Sequence, residues 1–309
     1  MTFRPIHAGL TFTEDHINSA RRNRDREPFR ATYLMLNERE QTGASSAQWD
    51  AFRYRFTADE RAGEHGIETL MRHIDEPLSE DVTYLASVAE TFMLTQTFEL
   101  LRGHPAFRYA EQVRFMNTLG MRVSTLSASP YKDTQVENLW MALAVMAAGV
   151  SLEREEIFTL GVEVFERTIR DDVSPRGYVN RAIEGKDGGS LYRQILSSAA
   201  LVLMAEIGTH AGVDLWNFAV RGVSVTTTAI YPIYYFYTPE KWEWDAGITQ
   251  EEAQMLFRRY GGYLEIVNRR TQHRDLKPVL EDLRPIYDPH GGGLTTLTHG
   301  VPIKRGLFG

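Results

Sequence analysis

The chain has 309 residues, enough for one large domain or two ordinary ones and for a substantial buried core. Apolar residues make up 43%, as in globular proteins, and the formal net charge of −7 argues against a general nucleic-acid binder, which carries a basic face. Cysteine is absent, which excludes a disulfide framework, a thiolate metal site and a cysteine nucleophile.

An acidic protein can still carry a locally positive cleft, so an anionic sugar stays open as a ligand. No apolar run reaches the roughly 20 residues that span a bilayer, so no membrane partner is expected. The opening Met-Thr-Phe-Arg-Pro-Ile-His holds no apolar signal segment. As written the chain reads as cytoplasmic, and as periplasmic or secreted if an export signal has been removed.

Helical periodicity dominates. Thr13 reads as the N-cap of a long polar helix running to about residue 40. Residues 48–76 read as one or two short helices. Residues 80–102 place Val82, Leu85, Val88, Ala89, Phe92 and Phe98 near one helical face. His104-Pro105 breaks the chain, and a further helix covers about 106–126. Three helices follow, at about 134–149 with a stop at Gly149, at about 152–171 with Ser151 as N-cap, and at about 190–210. Arg154 stands where a capping box needs Glu or Gln, so the second has none. Helices at about 214–230, 249–272 and 276–283 complete the pattern. Tyr231 to Tyr237 is the best strand candidate, but Pro232 makes an aromatic-packed helix end an equal reading. Many helices with short links point to antiparallel helix pairs. No composition shift divides the chain, so a single domain over 1–309 is expected.

Three clusters carry chemistry. Gln135, Glu137, Asn138 and Trp140 stand at the start of a helix whose body, Met141 to Met146, is entirely apolar. Such a helix is buried, so these polar groups either cap it or face a cavity. Residues 184–194 form a Gly-rich turn opening a helix. Its backbone N–H groups can hold an anion, or the turn is a flexible start with Ser190 near the cap. Tyr192 and Arg193 in the first turn of that helix point to a pocket. The aromatic run Tyr231, Tyr234, Tyr235, Phe236, Tyr237, Trp242 and Trp244 suits sugar rings but more often packs a core. The nine histidines show no metal-binding spacing. His7, His16 and His210 read as surface or capping residues, and the basic run Arg269, Arg270, His273, Arg274 as a solvated helix face.

Residues 134–216 resemble the core of the alginate lyase family of polysaccharide lyases. The resemblance is carried by Trp140, Ala144 to Val150, Phe158, Phe165, the Gly177-Tyr-Val turn, Tyr192, Leu201 to Glu206 and Gly212-Val-Asp-Leu-Trp216. His7-Ala-Gly-Leu10 is similar to the family's opening, and Pro285 to Gly300 to its closing segment. The resemblance implies an all-α fold, an incomplete (α/α) toroid of antiparallel helix pairs, and β-elimination at a uronic acid in an anionic oligo- or polysaccharide. That chemistry needs the sugar carboxylate neutralised, a base for the C5 proton and an acid for the leaving oxygen.

The family's Asn-Asn-His positions fall on Gln135, Val136 and Glu137. Its catalytic Tyr falls on Tyr192 when aligned from Gly177, and on Arg193 when aligned from the helix end. Its Arg falls on Gly188 or Gly189, with Lys186 the nearest substitute. The implied site thus has Tyr192 and Glu137 as catalytic residues, with Gln135, Asn138, Trp140, Lys186 and Arg193 meeting substrate. No metal or other cofactor is expected. A carboxylate at Glu137 repels a uronate by roughly several kcal/mol at about 4 Å, which implies altered specificity. It also leaves two alternatives: a non-catalytic saccharide- or protein-binding member, or a glycoside hydrolase pairing Glu137 with Glu184 or Asp187.

Overall fold

The computed structural model describes residues 3–79, 81–129, 135–185 and 187–303. Among these residues helices dominate, and the extended pairs are isolated bridges such as Val173 with Val179. The all-α expectation holds. No helix among the described residues is long and apolar enough to cross a membrane.

The polar stretch after Thr13 is two helices, α1 (Glu14–Arg22) and α2 (Phe29–Glu38), not one. Asn23 caps the end of α1, and Pro28 stands as the N-cap of α2, where its missing N–H costs no helical bond. Next come α3 (Ala44–Thr57) and α4 (Glu60–Asp75), separated at Ala58 in the left-handed conformation and restarted by the Asp59 cap. They are followed by α5 (Tyr84–Leu101), α6 (Tyr109–Ala128), α7 (Gln135–Ser151) and α8 (Glu155–Arg167). Val82 precedes α5 and is exposed, whereas Val88, Phe92 and Phe98 are buried as the periodicity requires. Helix α7 runs through Gly149, and Ser151 ends it rather than capping α8.

Helix α9 spans Ser190–His210, as its pattern predicts. The predicted helix at 214–230 shrinks to α10 (Val225–Ile230), preceded by turns. The strand candidate is a short 3-10 helix, Tyr231–Tyr235, with Pro232 in its first turn. The predicted helix at 249–272 is α11 (Gln250–Tyr260) and α12 (Tyr263–Thr271), divided at Gly261-Gly262. Last are α13 (Leu276–Leu283) and α14 (Thr295–His299).

Helices α5, α7 and α9 are buried around most of their circumference and form the inner layer. Helices α4 and α8 bury one face each, α8 through Phe158, Gly161, Val162 and Phe165. At one end of the inner layer the Trp140 indole N–H donates to the Leu196 carbonyl (3.2 Å), joining the starts of α7 and α9. At the other end Arg102 donates to the Ser151 carbonyl (3.3 Å), joining the ends of α5 and α7. The inner helices therefore run parallel, with their N-termini gathered at one mouth.

The chain's extremities close the assembly. Arg4 and Ile6 donate backbone bonds to Ala211 and His210 at the end of α9. The segment after α13 passes over α3 and α5, where Gln48 donates to Gln96 (2.8 Å) and to the Pro289 carbonyl (2.9 Å).

Candidate functional site

The mouth formed by the starts of α5, α7 and α9 holds two separate cavities. The first, of about 900 Å³, is lined by Glu137 with Leu78, Val82, Tyr84, Ser87 and Leu126. Burial and the nearby Glu137 charge push the Tyr84 phenol up to about 12, and its hydroxyl donates to the Leu126 carbonyl (3.0 Å). Val136 is buried and Asn138 half-buried. Trp140 is only 2% exposed, and its one donor is taken by Leu196. It is a framework residue joining α7 to α9, which corrects the expectation of a substrate contact. Glu137 does face a cavity.

The second cavity, of about 390 Å³, lies where α9 begins and is lined by Tyr192, Gly188, Asp245, Gly247, Glu252, Met255 and Leu256. Distant residues hold the start of α9 in place. Asp245 accepts from the Leu191 N–H (2.9 Å), one of the donors a helix leaves free at its N-terminus. The Trp242 indole donates to Ser190 Oγ (2.7 Å). The Trp242 end of the aromatic run is therefore core and helix support.

Arg193 is committed within the chain. Its Nε donates to the Ala182 carbonyl (2.9 Å), and Nη1 donates to both oxygens of Asp187 (2.9 Å each). Asp187 in turn accepts from the Gly189 N–H (3.2 Å). Arg193 thus already holds the exposed Asp187 carboxylate and the Ala182 carbonyl, which corrects the expectation that Arg193 meets substrate. Lys186 lies outside the described residues, as does the side chain of Gln135.

Tyr192 stands differently. Its ring lies 5.3 Å from that of Tyr260. Burial, then Tyr260, pushes the Tyr192 phenol up to about 12, so it holds its proton at neutral pH. Glu252, Met255 and Leu256 of α11 line this cavity, and Arg259 follows them at helical spacing on the same face. Its guanidinium lies 5.2 Å from the Tyr260 ring centre. The field of Arg259 also reaches Tyr192, His290 and Asp288.

The half-buried His290 imidazole is pushed down by burial first and by Arg259 second, so it is neutral at pH 7. Asp288 is buried against Gly262 at the α11–α12 junction. Burial raises its carboxyl to about 7 despite the N–H of Gly291, which donates to it at 2.8 Å.

The structure therefore brings Tyr192, Tyr260 and Arg259 together at the start of α9, with His290 within reach of the Arg259 charge, and leaves Glu137 in a different cavity. Tyr192 is the one member of this group that the sequence singles out. The others carry weak signals: Arg259-Tyr260 ends an amphipathic helix, and His290 lies in the segment that resembles the family's closing piece. The hydrolase alternative pairs Glu137 with Glu184 or Asp187; neither lines the Glu137 cavity, and Asp187 is bound by Arg193.

The profile of the alginate lyase family matches residues 44–242. A search of curated proteins finds no match. Among solved structures, a histidine-to-alanine variant of alginate lyase A1-III complexed with a tetrasaccharide superposes with a TM-score of 0.75 at 13% identity, covering 97% of this chain and 98% of that one. Alginate lyase A1-III from Sphingomonas species A1 gives a TM-score of 0.70 at 16% identity, over 89% of this chain and 78% of that one. An alginate lyase from Bacteroides ovatus gives 0.70 at 11% identity, over 95% and 99%. At these identities the likeness establishes the fold, the (α/α) toroid.

Proposed function

The chain belongs to the alginate lyase family, and from that premise we propose that it cleaves a uronate-containing oligo- or polysaccharide by β-elimination beside Tyr192. One observation carries the reading: the protonated Tyr192 phenol borders a cavity at the start of α9, and the Arg259 guanidinium on the adjoining helix acts on both Tyr192 and the neutral His290 imidazole. These are the three groups the chemistry demands.

Arg259 neutralises the C6 carboxylate and makes the C5 proton acidic. The neutral imidazole of His290 takes that proton. The C5–H bond breaks, a C4–C5 double bond forms, and the C4–O bond breaks as the leaving oxygen takes the Tyr192 proton. Proton return from the imidazolium to the phenolate, by way of solvent or Tyr260, resets the site. Glu137 stands in the first cavity and shapes specificity by repelling a carboxylate there.

The test is incubation with a panel of polyuronates, following absorbance of the unsaturated product. Turnover is expected on at least one polymer and is lost in Tyr192→Phe and His290→Gln. Saturated product ends would contradict the elimination, and an undiminished Tyr192→Phe would remove Tyr192 from the chemistry. A second reading, saccharide binding without turnover, is favoured by the buried Val136 beside Glu137, where the family resemblance places an amide and an imidazole. Binding with no product across the panel would establish it.

A further inference from the structure

Apart from that mouth, a histidine–carboxylate cluster joins the two ends of the chain. One nitrogen each of His16 and His299 and one oxygen of Glu206 lie within 4.8 Å of one another. His16 belongs to α1, Glu206 to α9 and His299 to α14, so no motif spacing reveals them. Glu206 and His299 are 2% and 1% exposed. We propose that His16, Glu206 and His299 form a buried binding site for a divalent metal ion of the zinc class.

The donor set is two imidazoles and one carboxylate, which suits borderline ions such as zinc. The His16 and His299 ring centres are 5.1 Å apart. Two imidazoles ligating one tetrahedral zinc through bonds of about 2.0–2.1 Å put their ring centres about 5 Å apart. His299 Nε2 is a buried nitrogen with no hydrogen-bond partner, 3.6 Å from Glu206 Oε1. Its Nδ1 is held 2.8 Å from Thr298 Oγ1, the outer contact that orients a ligating ring.

His16 is held in a similar way. Its Nδ1 accepts from the Thr13 N–H (3.2 Å) and lies 3.1 Å from Thr13 Oγ1. Ligation through Nε2 moves the ring proton to Nδ1, where Thr13 Oγ1 accepts it and the Thr13 N–H gives up its bond to the ring. Glu206 Oε2 accepts from Arg270 Nε (3.1 Å) and Nη2 (3.0 Å) and from the Trp216 indole N–H (2.9 Å), while Oε1, which also accepts from Arg270 Nη2 (3.2 Å), lies toward the histidines. His210 Nε2 lies 3.4 Å from Oε1 and 3.2 Å from the Thr11 carbonyl, so it borders the site. Arg269 opposes a cation electrostatically, while the glutamate and two neutral imidazoles meet it at bonding range. The ion would pin α1 and α14 to the end of α9.

The full chain is stripped with a chelator, dialysed and titrated with Zn²⁺ by calorimetry, with thermal unfolding followed in parallel. One saturable equivalent and a raised Tm are expected, and both are lost in His299→Ala. Should that variant not fold, His16→Ala on the partly exposed α1 serves the same purpose. Cobalt(II) is expected to give tetrahedral visible bands that disappear in His16→Ala. No saturable equivalent, an equivalent that survives His16→Ala, or an octahedral cobalt spectrum would overturn the site.

Discussion

Tyr192 and Arg193 are consecutive on α9, yet their side chains meet different partners. Tyr192 keeps its proton because burial and a second phenol disfavour the phenolate, and it borders an open cavity. General acids of this kind contribute roughly 10²–10⁴-fold, so Tyr192→Phe should lower kcat on a polyuronate by about that factor with little change in Tm. Arg193 holds the Ala182 carbonyl and the Asp187 carboxylate. Arg193→Ala should cost about 1–2 kcal/mol, chiefly through the half-buried bond to Ala182, and expose the 183–189 turn to proteolysis. Asp187→Asn should cost little, because that carboxylate is exposed and screened. Chemical denaturation of both variants checks the ordering, and equal losses would mean the ion pair is the clamp. The sequence marks this pair as facing a pocket. It cannot show that one side chain is already neutralised, because Asp187 meets Arg193 only after the turn closes.

At the scale of elements, α7 shows how a local signal is read correctly for the wrong reason. Gly149 resembles a helix stop, but the helix continues to Ser151. Its value is the absence of a Cβ: one added there would collide with the backbone of Phe158 on α8. Gly161 does the same from the other side, where a Cβ would lie 2.8 Å from the Ala142 carbonyl. Gly149→Ala should therefore destabilise by about 1–3 kcal/mol despite better helix propensity, since backbone and not a flexible side chain must yield. Urea unfolding measures this, and a stabilised variant would mean that α8 shifts freely. The helices with one buried face are legible in the sequence, because periodicity within three or four residues encodes them. The break between α1 and α2 falls in the polar run Asn23 to Glu27, where no apolar spacing marks a boundary, that at Gly261-Gly262 is bridged by Tyr260 and Tyr263, and 214–223 folds as turns because Asp214, Gly222 and their neighbours satisfy turn geometry.

At the scale of the molecule, ionisable groups buried between distant segments tie the ring closed. Burial, with His299, Arg269 and His210 nearby, pushes His16 down to about 3, whereas a free histidine titrates near 6.5. Glu206 acts in the opposite sense but is outweighed. The unfolded chain therefore binds more protons than the folded one between these values. Stability from keeping His16 neutral is full above about pH 6.5 and is lost as pH falls toward 3. His16→Gln should flatten the Tm profile across that window, and an unchanged profile would mean His16 titrates normally. Glu265, fully buried, accepts from Arg284 through both oxygens (2.7 Å each) and from Thr296 (2.8 Å), joining α12 to the closing segment. Glu265→Ala leaves a largely buried guanidinium unpaired and should cost about 3–5 kcal/mol in equilibrium unfolding. An all-α chain and most of its helices are written in short-range spacing and composition, and the frame from Trp140 to Val150 and the prominence of Tyr192 come from the family resemblance. That Trp140 is framework, that Arg193 is already paired, and that Tyr192 stands with Tyr260 and Arg259 rather than with Glu137 emerges only once the chain is folded. Those pairings depend on how the segment after α10 folds back onto the start of α9, and no local pattern carries a contact between residues so far apart in the chain.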